Sequence, residues 1–318
     1  MNTRRALITG VTGQDGAYLS RFLLGQGYEV YGTTCRHDLA RLHSLEVAER
    51  VRVVAGDLGD VAKLESILRD VQPDEVYNLA AQSSVAASFA DPLLTSEVDA
   101  LGALRLLEAV RRAAPEARFF QASSGEMFGD TEERPQRETT PFRPGTPYAV
   151  AKLFAHGMTV AYRRSHGLFA CSGILFNHES PLRGPDFVTR KIARGAARIK
   201  KGLEHTLALG KLDVRRDWGF AGDYVRAMWL MLQQRQGDDY VIATGESHTV
   251  REFVELAFAH VGLSWEDHVR QDPALFRPAD AGELVGDASK ARRVLGWQPQ
   301  VTFAELVAMM VEAELGAP

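Results

Sequence analysis

An α/β fold, with a doubly wound parallel sheet and a smaller C-terminal domain, is what this 318-residue sequence predicts, on three observations. Short apolar runs alternate with helical patterns through the first half, which implies parallel strands covered on both faces. A turn carrying Gly10, Gly13 and Gly16 joins the first run to the first helix. Beyond Ser172 the alternation weakens and long loops rich in Gly, Pro and charge take over, the kind of segment that binds ligands from a rigid scaffold.

In chain order, Ala6, Leu7 and Ile8 read as a buried strand, and residues 17–24 repeat apolar side chains at helical spacing. Strands two to five are expected at residues 28–35, 51–58, 74–81 and 117–124, with a helix over residues 96–113. A further strand at residues 240–245 is expected to return to the main sheet. Strand, glycine turn and helix N-terminus make an anion site, because N–H groups and the helix dipole point at a phosphate. The spacing is G-x-x-G-x-x-G, one residue longer than the common dinucleotide fingerprint, and alone it is also compatible with a plain strand-to-helix turn.

Composition narrows the class. With 45% hydrophobic and 25% charged residues the chain is an ordinary globule, and no apolar run approaches the roughly 20 residues that span a bilayer. No cleavable apolar segment precedes the first strand, so a cytoplasmic protein is expected. Two cysteines, Cys35 and Cys171, are too few for a disulfide framework or a zinc site. A net charge of −4 argues against a nucleic-acid binder.

Two constellations carry chemistry. In "YAVAK", Tyr148 and Lys152 are four apart and share a helix face; an ammonium beside a phenol favours the phenolate, which makes tyrosine a general base near neutral pH. Such pairs also occur as plain helix surface. "QASSGEMFGD" ends a strand with Ser123, Ser124 and Glu126, at the sheet edge where a nicotinamide would lie. His178 and Glu179 are adjacent metal-binding types without a clustered third ligand, so no metal is expected.

The stretches "GVTGQDGAYL", "VYNLAAQSSVAASF", "SSGEMFG", "PYAVAK", "GILFNHESPLRG", "LGKLDVRRDWGFAGDYV" and "FRPAD" resemble the extended short-chain dehydrogenase/reductase family of nucleotide-sugar epimerases and dehydratases, and within it the GDP-mannose 4,6-dehydratase family. The resemblance covers essentially the whole chain. It implies a Rossmann-type NADP domain at residues 1–172 and a nucleotide-sugar region at residues 173–318, with a segment at about 210–245 returning to the first. It implies NADP-dependent conversion of GDP-mannose to GDP-4-keto-6-deoxymannose: Tyr148 takes the C4 hydroxyl proton, Ser124 bonds the same oxygen, Lys152 holds the nicotinamide ribose, and Glu126 removes the C5 proton. The cofactor stays bound and is regenerated in each turnover.

By matching position, Gly10, Thr12, Gly13, Gln14, Asp15, Gly16, Arg36, Asp57, Leu58, Leu79, Ala80 and Ala81 would hold the cofactor beside Tyr148 and Lys152. Ser83, Asn177, Val188, Lys191, Arg216, Arg277 and Asp280 would hold the GDP-sugar. The family's usual Thr-Ser-Glu reads Ser124-Gly125-Glu126 here, so a methyl and a hydroxyl are lost, which predicts slower chemistry or a roomier sugar pocket. Arg36, with no acidic residue ending strand two, suits the NADP 2′-phosphate. The family also implies a homodimer or homotetramer. The same dehydration of a GDP-heptose, a related epimerase or reductase, and a non-catalytic NADP-binding regulator are the alternatives; Glu126 counts against the second, and joint retention of Ser124, Glu126, Tyr148 and Lys152 against the third.

Overall fold

The structure, a computed structural model, describes residues 3–35, 38–276 and 282–317. The chain opens with β1 (Arg5–Thr9), α1 (Gln14–Gly25), β2 (Glu29–Thr34), α2 (Ala40–Ser44), β3 (Val51–Ala55), α3 (Val61–Val71) and β4 (Glu75–Asn78). There follow α4 (Val85–Ala90), α5 (Pro92–Thr95), α6 (Gly102–Ala113), β5 (Arg118–Ser124), α7 (Pro147–Ser165) and β6 (Ala170–Leu175). After them come β7 (Asn177–Glu179), α8 (Val188–Lys200), β8 (Leu207–Leu209), β9 (Arg215–Arg216), β10 (Trp218–Phe220), α9 (Ala221–Leu232) and β11 (Asp239–Ile242). The last are β12 (His248–Thr249), α10 (Val250–His260), β13 (Val269–Gln271), α11 (Ser289–Leu295) and α12 (Phe303–Leu315).

Seven strands form one parallel sheet in the order β11-β6-β5-β4-β1-β2-β3. The chain crosses from β1 to β2 and β3 on one side and returns from β3 to β4 on the other side of β1, so a crevice opens at the carboxyl ends of β1 and β4, the place where such sheets bind ligands. Every residue of β4 and β6 is buried, as two helix-covered faces require. One face packs Ile8, Tyr77, Phe120 and Cys171 with Leu19, Leu23 and Met228 of α1 and α9; the other packs Leu7, Val76 and Phe119 with Leu64, Leu68, Leu106 and Val110 of α3 and α6. A second core joins α8, α10 and α12 through Ile192, Phe253, Phe258, Leu306 and Met310.

The α/β reading is right, and its departures have local causes. The expected helix at residues 96–113 begins at α5, where Asp91 accepts from the N–H of Leu94 at 2.9 Å and Pro92 fills the first helical position, a start signal that periodicity alone passes over. It then continues through a π turn at Ser96–Leu101 into α6. The fourth strand ends at Asn78 because Leu79 and Ala80 turn their N–H groups to the Thr9 hydroxyl, each at 3.2 Å.

Candidate active site

A cleft of about 430 Å³ opens at the carboxyl edge of the sheet, between it and the second core. The glycine turn borders it through Asp15, in the first turn of the helix that follows. Gly10 has φ +68°, and a Cβ there would lie 2.8 Å from the Ala80 Cα; one on Gly16 would lie 2.5 Å from the Gly10 carbonyl. Backbone meets backbone, so both positions demand glycine. Gly13 caps α1 without a side-chain bond, which leaves the helix N-terminus open to an anion. Thr12 and Thr34 share a 3.0 Å hydroxyl contact beside it.

The cleft's far wall is the end of β5 and the first turns of α7. Thr146 caps α7 by accepting from the Ala149 N–H at 3.1 Å, and Pro147 opens it, so Tyr148 and Lys152 project from a firmly anchored helix end. The Lys152 ammonium donates to the Ala122 carbonyl at 3.2 Å and lies 5.7 Å from the Tyr148 ring centre. Ser124 ends β5 and accepts from the Glu126 N–H at 3.2 Å. Glu126 lies on the following turn, its carboxylate 3.7 Å from the buried Arg216 guanidinium. The Tyr148 phenol is pushed above its ordinary value by burial, while Lys152 and the Ser124 hydroxyl pull it back. The expected low phenol pKa is therefore not a property of these residues alone, because desolvation outweighs the ammonium.

Ser83, Ser124, Glu126, Tyr148, Lys152, Asn177, Val188, Lys191 and Arg216 line this one cleft together with Asp15, Leu79 and Ala81. Gln14 turns from the glycine loop to the other side, donating to the His178 carbonyl at 3.1 Å and accepting from Ser180 at 2.8 Å. Asp57 is exposed and accepts from the Gly59 N–H at 2.6 Å, and Leu58 is buried against Gly102. Arg36, Arg277 and Asp280 lie outside the described residues.

Three features escaped the sequence reading. His178 stacks on Tyr224 at 4.6 Å and shares a 2.8 Å contact with Asp15, which ties the glycine turn to β7. Burial lowers the His178 pKa, but Asp15 outweighs it and the imidazole ends above its usual value; burial likewise opposes ionisation of Asp15, and His178 outweighs it, holding the carboxyl low. Arg183 joins them in the cleft, 3.0 Å from the buried Glu179 carboxylate and stacked over Phe187. The third is Asp99, behind Lys152, which no local pattern marks. Among the described residues no three His, Cys, Asp or Glu side chains form a metal-binding group, and no helix is long and apolar enough to cross a membrane.

The family model described as GDP-mannose 4,6 dehydratase matches residues 7–310. GDP-mannose 4,6 dehydratase 2 of Arabidopsis thaliana is 55% identical over 324 residues, which cover 98% of this chain and 86% of that protein. Among solved structures, UDP-glucose 4-epimerase of Thermus thermophilus, a complex with NAD, superposes with a TM-score of 0.87 at 32% identity, covering 99% of this chain and 100% of that one. RMD from Pseudomonas aeruginosa, complexed with NADPH, gives 0.83 at 26% identity, covering 98% and 99%. With catalytic-type side chains gathered in one cleft and a match along nearly its whole length, the chain belongs to the GDP-mannose 4,6-dehydratase family and is an enzyme of that kind.

Proposed function

We propose that the cleft converts GDP-mannose to GDP-4-keto-6-deoxymannose with NADP held throughout the cycle. The observation that carries this is a carboxylate, Glu126, in the same cleft as the hydroxyl, phenol and ammonium of Ser124, Tyr148 and Lys152. Simple alcohol oxidation or epimerisation needs only the last three. A carboxylate base gains a task when a proton must leave carbon, as it must from C5.

The glycine turn suits a dinucleotide: the close backbone approach at Gly10 and Gly16 and the open N-terminus of α1 leave room for a pyrophosphate. The relatives of known structure bind NAD in one case and NADPH in the other. Our choice of NADP rests on Arg36 and on the absence of an acidic residue at the end of β2, and competing titrations of NADP and NAD measure it. A bound nicotinamide would supply the hydride acceptor for C4 and the hydride donor for C6.

The chain's own groups do the remaining work. Tyr148 removes the C4 hydroxyl proton, with Ser124 bonding the same oxygen. The resulting ketone makes the C5 hydrogen acidic. Glu126 takes that proton and delivers it to the departing C6 hydroxyl, which leaves as water; once hydride is back at C6, C5 takes up the proton that Tyr148 removed from the C4 hydroxyl, so the phenol returns to its starting state. Arg216, at 3.7 Å, holds Glu126 in place, and its guanidinium also faces the cleft that would receive the diphosphate. Asn177, Val188, Lys191 and Ser83 line the path of the nucleotide-sugar. An apolar patch of Leu93, Leu94, Leu101, Val150 and Phe154, all exposed on neighbouring helices, supports a homo-oligomer; sedimentation of the protein measures it.

Glu126→Gln keeps the shape but accepts no proton. Mixed with GDP-mannose in a single turnover it should form reduced cofactor without releasing water, with steady-state activity down about 10²–10⁴-fold. Tyr148→Phe should form neither. Dehydration by Glu126→Gln at near the parent rate refutes this reading.

A further inference from the structure

Between β7 and α8, residues 180–187 form a strap that is neither helix nor strand. Arg183, Asp186 and Phe187 of the strap nevertheless line the cleft, as do Val188, Thr189 and Lys191 at the start of α8. A segment without a helix or a strand ladder owes its position to whatever bonds its backbone groups. Here two guanidiniums do so. Arg190, in the first turn of α8, donates to the carbonyls of Pro181 and Arg183, the latter at 2.8 Å. Arg41 of α2 donates to the Leu182 carbonyl between them at 2.8 Å, and to the Thr12 carbonyl in the glycine turn at 3.2 Å. Three successive carbonyls are thus held by side chains from two parts of the fold, α2 beside the main sheet and α8 in the second core.

Arg190 is itself anchored. Its guanidinium also reaches the Glu314 carboxylate, in the last turn of α12. The Glu314 side chain is 9% exposed and that of Arg190 27%, so the pair is shielded beyond an ordinary surface bridge. The cleft side of the wall has its own bonds. The Glu179 carboxylate lies 3.0 Å from Arg183 and accepts from the Thr189 hydroxyl at 2.7 Å, and Arg183 stacks over Phe187. A layer of cleft-facing side chains therefore has Arg190 and Glu314 as its backing.

We propose that Arg190, oriented by Glu314, is a positioning residue for the nucleotide-sugar. From behind the wall it locks the strap to the first turn of α8, and so sets the pocket at Val188 and Lys191 without touching the substrate. The last helix of the chain thereby takes part in substrate recognition. What the pocket binds rests on the reading above, in which Val188 and Lys191 face a GDP-sugar; the locking of the strap does not.

Two measurements on the full-length protein test this. Amide hydrogen exchange without ligands reads the strap. The N–H groups of Arg183, Phe187 and Lys191 are bonded to carbonyls of the strap, and in Arg190→Met their exchange should quicken by about tenfold while that of β5 keeps the parent rate. Unchanged exchange overturns the proposal. Steady-state kinetics with NADP saturating in each variant read the consequence. Arg190→Met should raise KM for GDP-mannose about tenfold and keep kcat within about twofold of the parent. Poorer folding alone would lower the active fraction, and with it kcat, at constant KM. Parent-like KM in Arg190→Met overturns the proposal even where exchange quickens. Glu314→Gln leaves Arg190 an acceptor and removes the charge that orients it; KM should rise about threefold. If Arg190→Met does not fold, Glu314→Gln decides by the same two measurements. If the parent does not turn over GDP-mannose, the dehydratase reading fails instead, and hydrogen exchange decides whether Arg190 locks the strap.

Discussion

Two turns at the carboxyl edge of the same sheet, one after β1 and one after β5, are built on opposite principles. In the first, backbone packs on backbone. A Cβ at Gly10 or Gly16 would come within 2.5–2.8 Å of main-chain atoms belonging to Gly10, Val11 or Ala80, and the whole sheet would have to move to admit it. In the second, Gly125 faces the Phe176 ring, whose atoms begin 3.2 Å from a built Cβ. A ring can tilt; a β-strand cannot. The first turn is therefore written as an obligatory glycine spacing, whereas the second is written in side chains that substitution can trade.

The comparison breaks most sharply at Gly16. Gly16→Ala should destabilise the protein by about 3 kcal/mol through backbone overpacking and abolish dinucleotide binding, read by thermal unfolding and by cofactor titration. Retention of both would mean that the turn relaxes as easily as the one after β5.

A smaller effect is expected where the first turn meets β7. The Asp15 side chain keeps 22% exposure to the cleft and His178 11%, so the pair is worth less than a fully buried one. Asp15 is held below its ordinary value and His178 above. The carboxyl's contribution to stability is present above its unfolded value near 4 and is lost as pH falls through its lowered folded value. The imidazole's is present below its unfolded value near 6.5 and is lost as pH rises through its raised folded value. Stability from the pair is thus full between about pH 4 and 6.5 and fades on both sides. His178→Asn should cost about 2 kcal/mol inside that window and less at pH 9, measured as unfolding temperature against pH. An equal loss at all pH values would make His178 a packing residue stacked on Tyr224 and nothing more.

These contrasts explain what was legible. The parallel sheet, the glycine turn and the shared face of Tyr148 and Lys152 follow from local rules: apolar periodicity, close approach and i, i+4 spacing. The Ser124 and Glu126 turn was legible because a strand end announces it. Asp99, His178 and Arg183 were not. Asp99 and His178 acquire their surroundings from segments distant in sequence: Lys152 lies 53 positions beyond Asp99, and Asp15 lies 163 before His178; Arg183 meets Glu179 and Phe187 four positions away, but on a loop whose turn into the cleft no periodicity announces. No window-sized pattern encodes such a meeting. The π turn is likewise invisible, since residues 96–101 keep an acceptable helical pattern.

The smallest effect concerns the departure at Gly125, which the sequence read as slower chemistry or a roomier sugar pocket. The space left by the missing side chain is directed at Phe176, and Phe176 is itself pinned: its ring centre lies 6.0 Å from that of Phe128, and a Cβ on Gly286 would lie 2.8 Å from its edge. Phe128 in turn leans on Phe142 at 5.1 Å. The volume lost at position 125 is thus taken up by an aromatic stack under the cleft. Gly125→Ala should therefore cost only about 1 kcal/mol, as the ring tilts by a few tenths of an ångström, and should leave the ratio of kcat/KM for GDP-mannose over a GDP-heptose within twofold of the parent. The control is Ser124→Thr, whose added methyl enters the cleft at the hydroxyl proposed to bond the C4 oxygen and is expected to change kcat itself. A shift of the substrate ratio toward GDP-mannose in Gly125→Ala would mean that Phe176 yields into the cleft after all, and that the second turn tunes sugar size through the ring it was packed against.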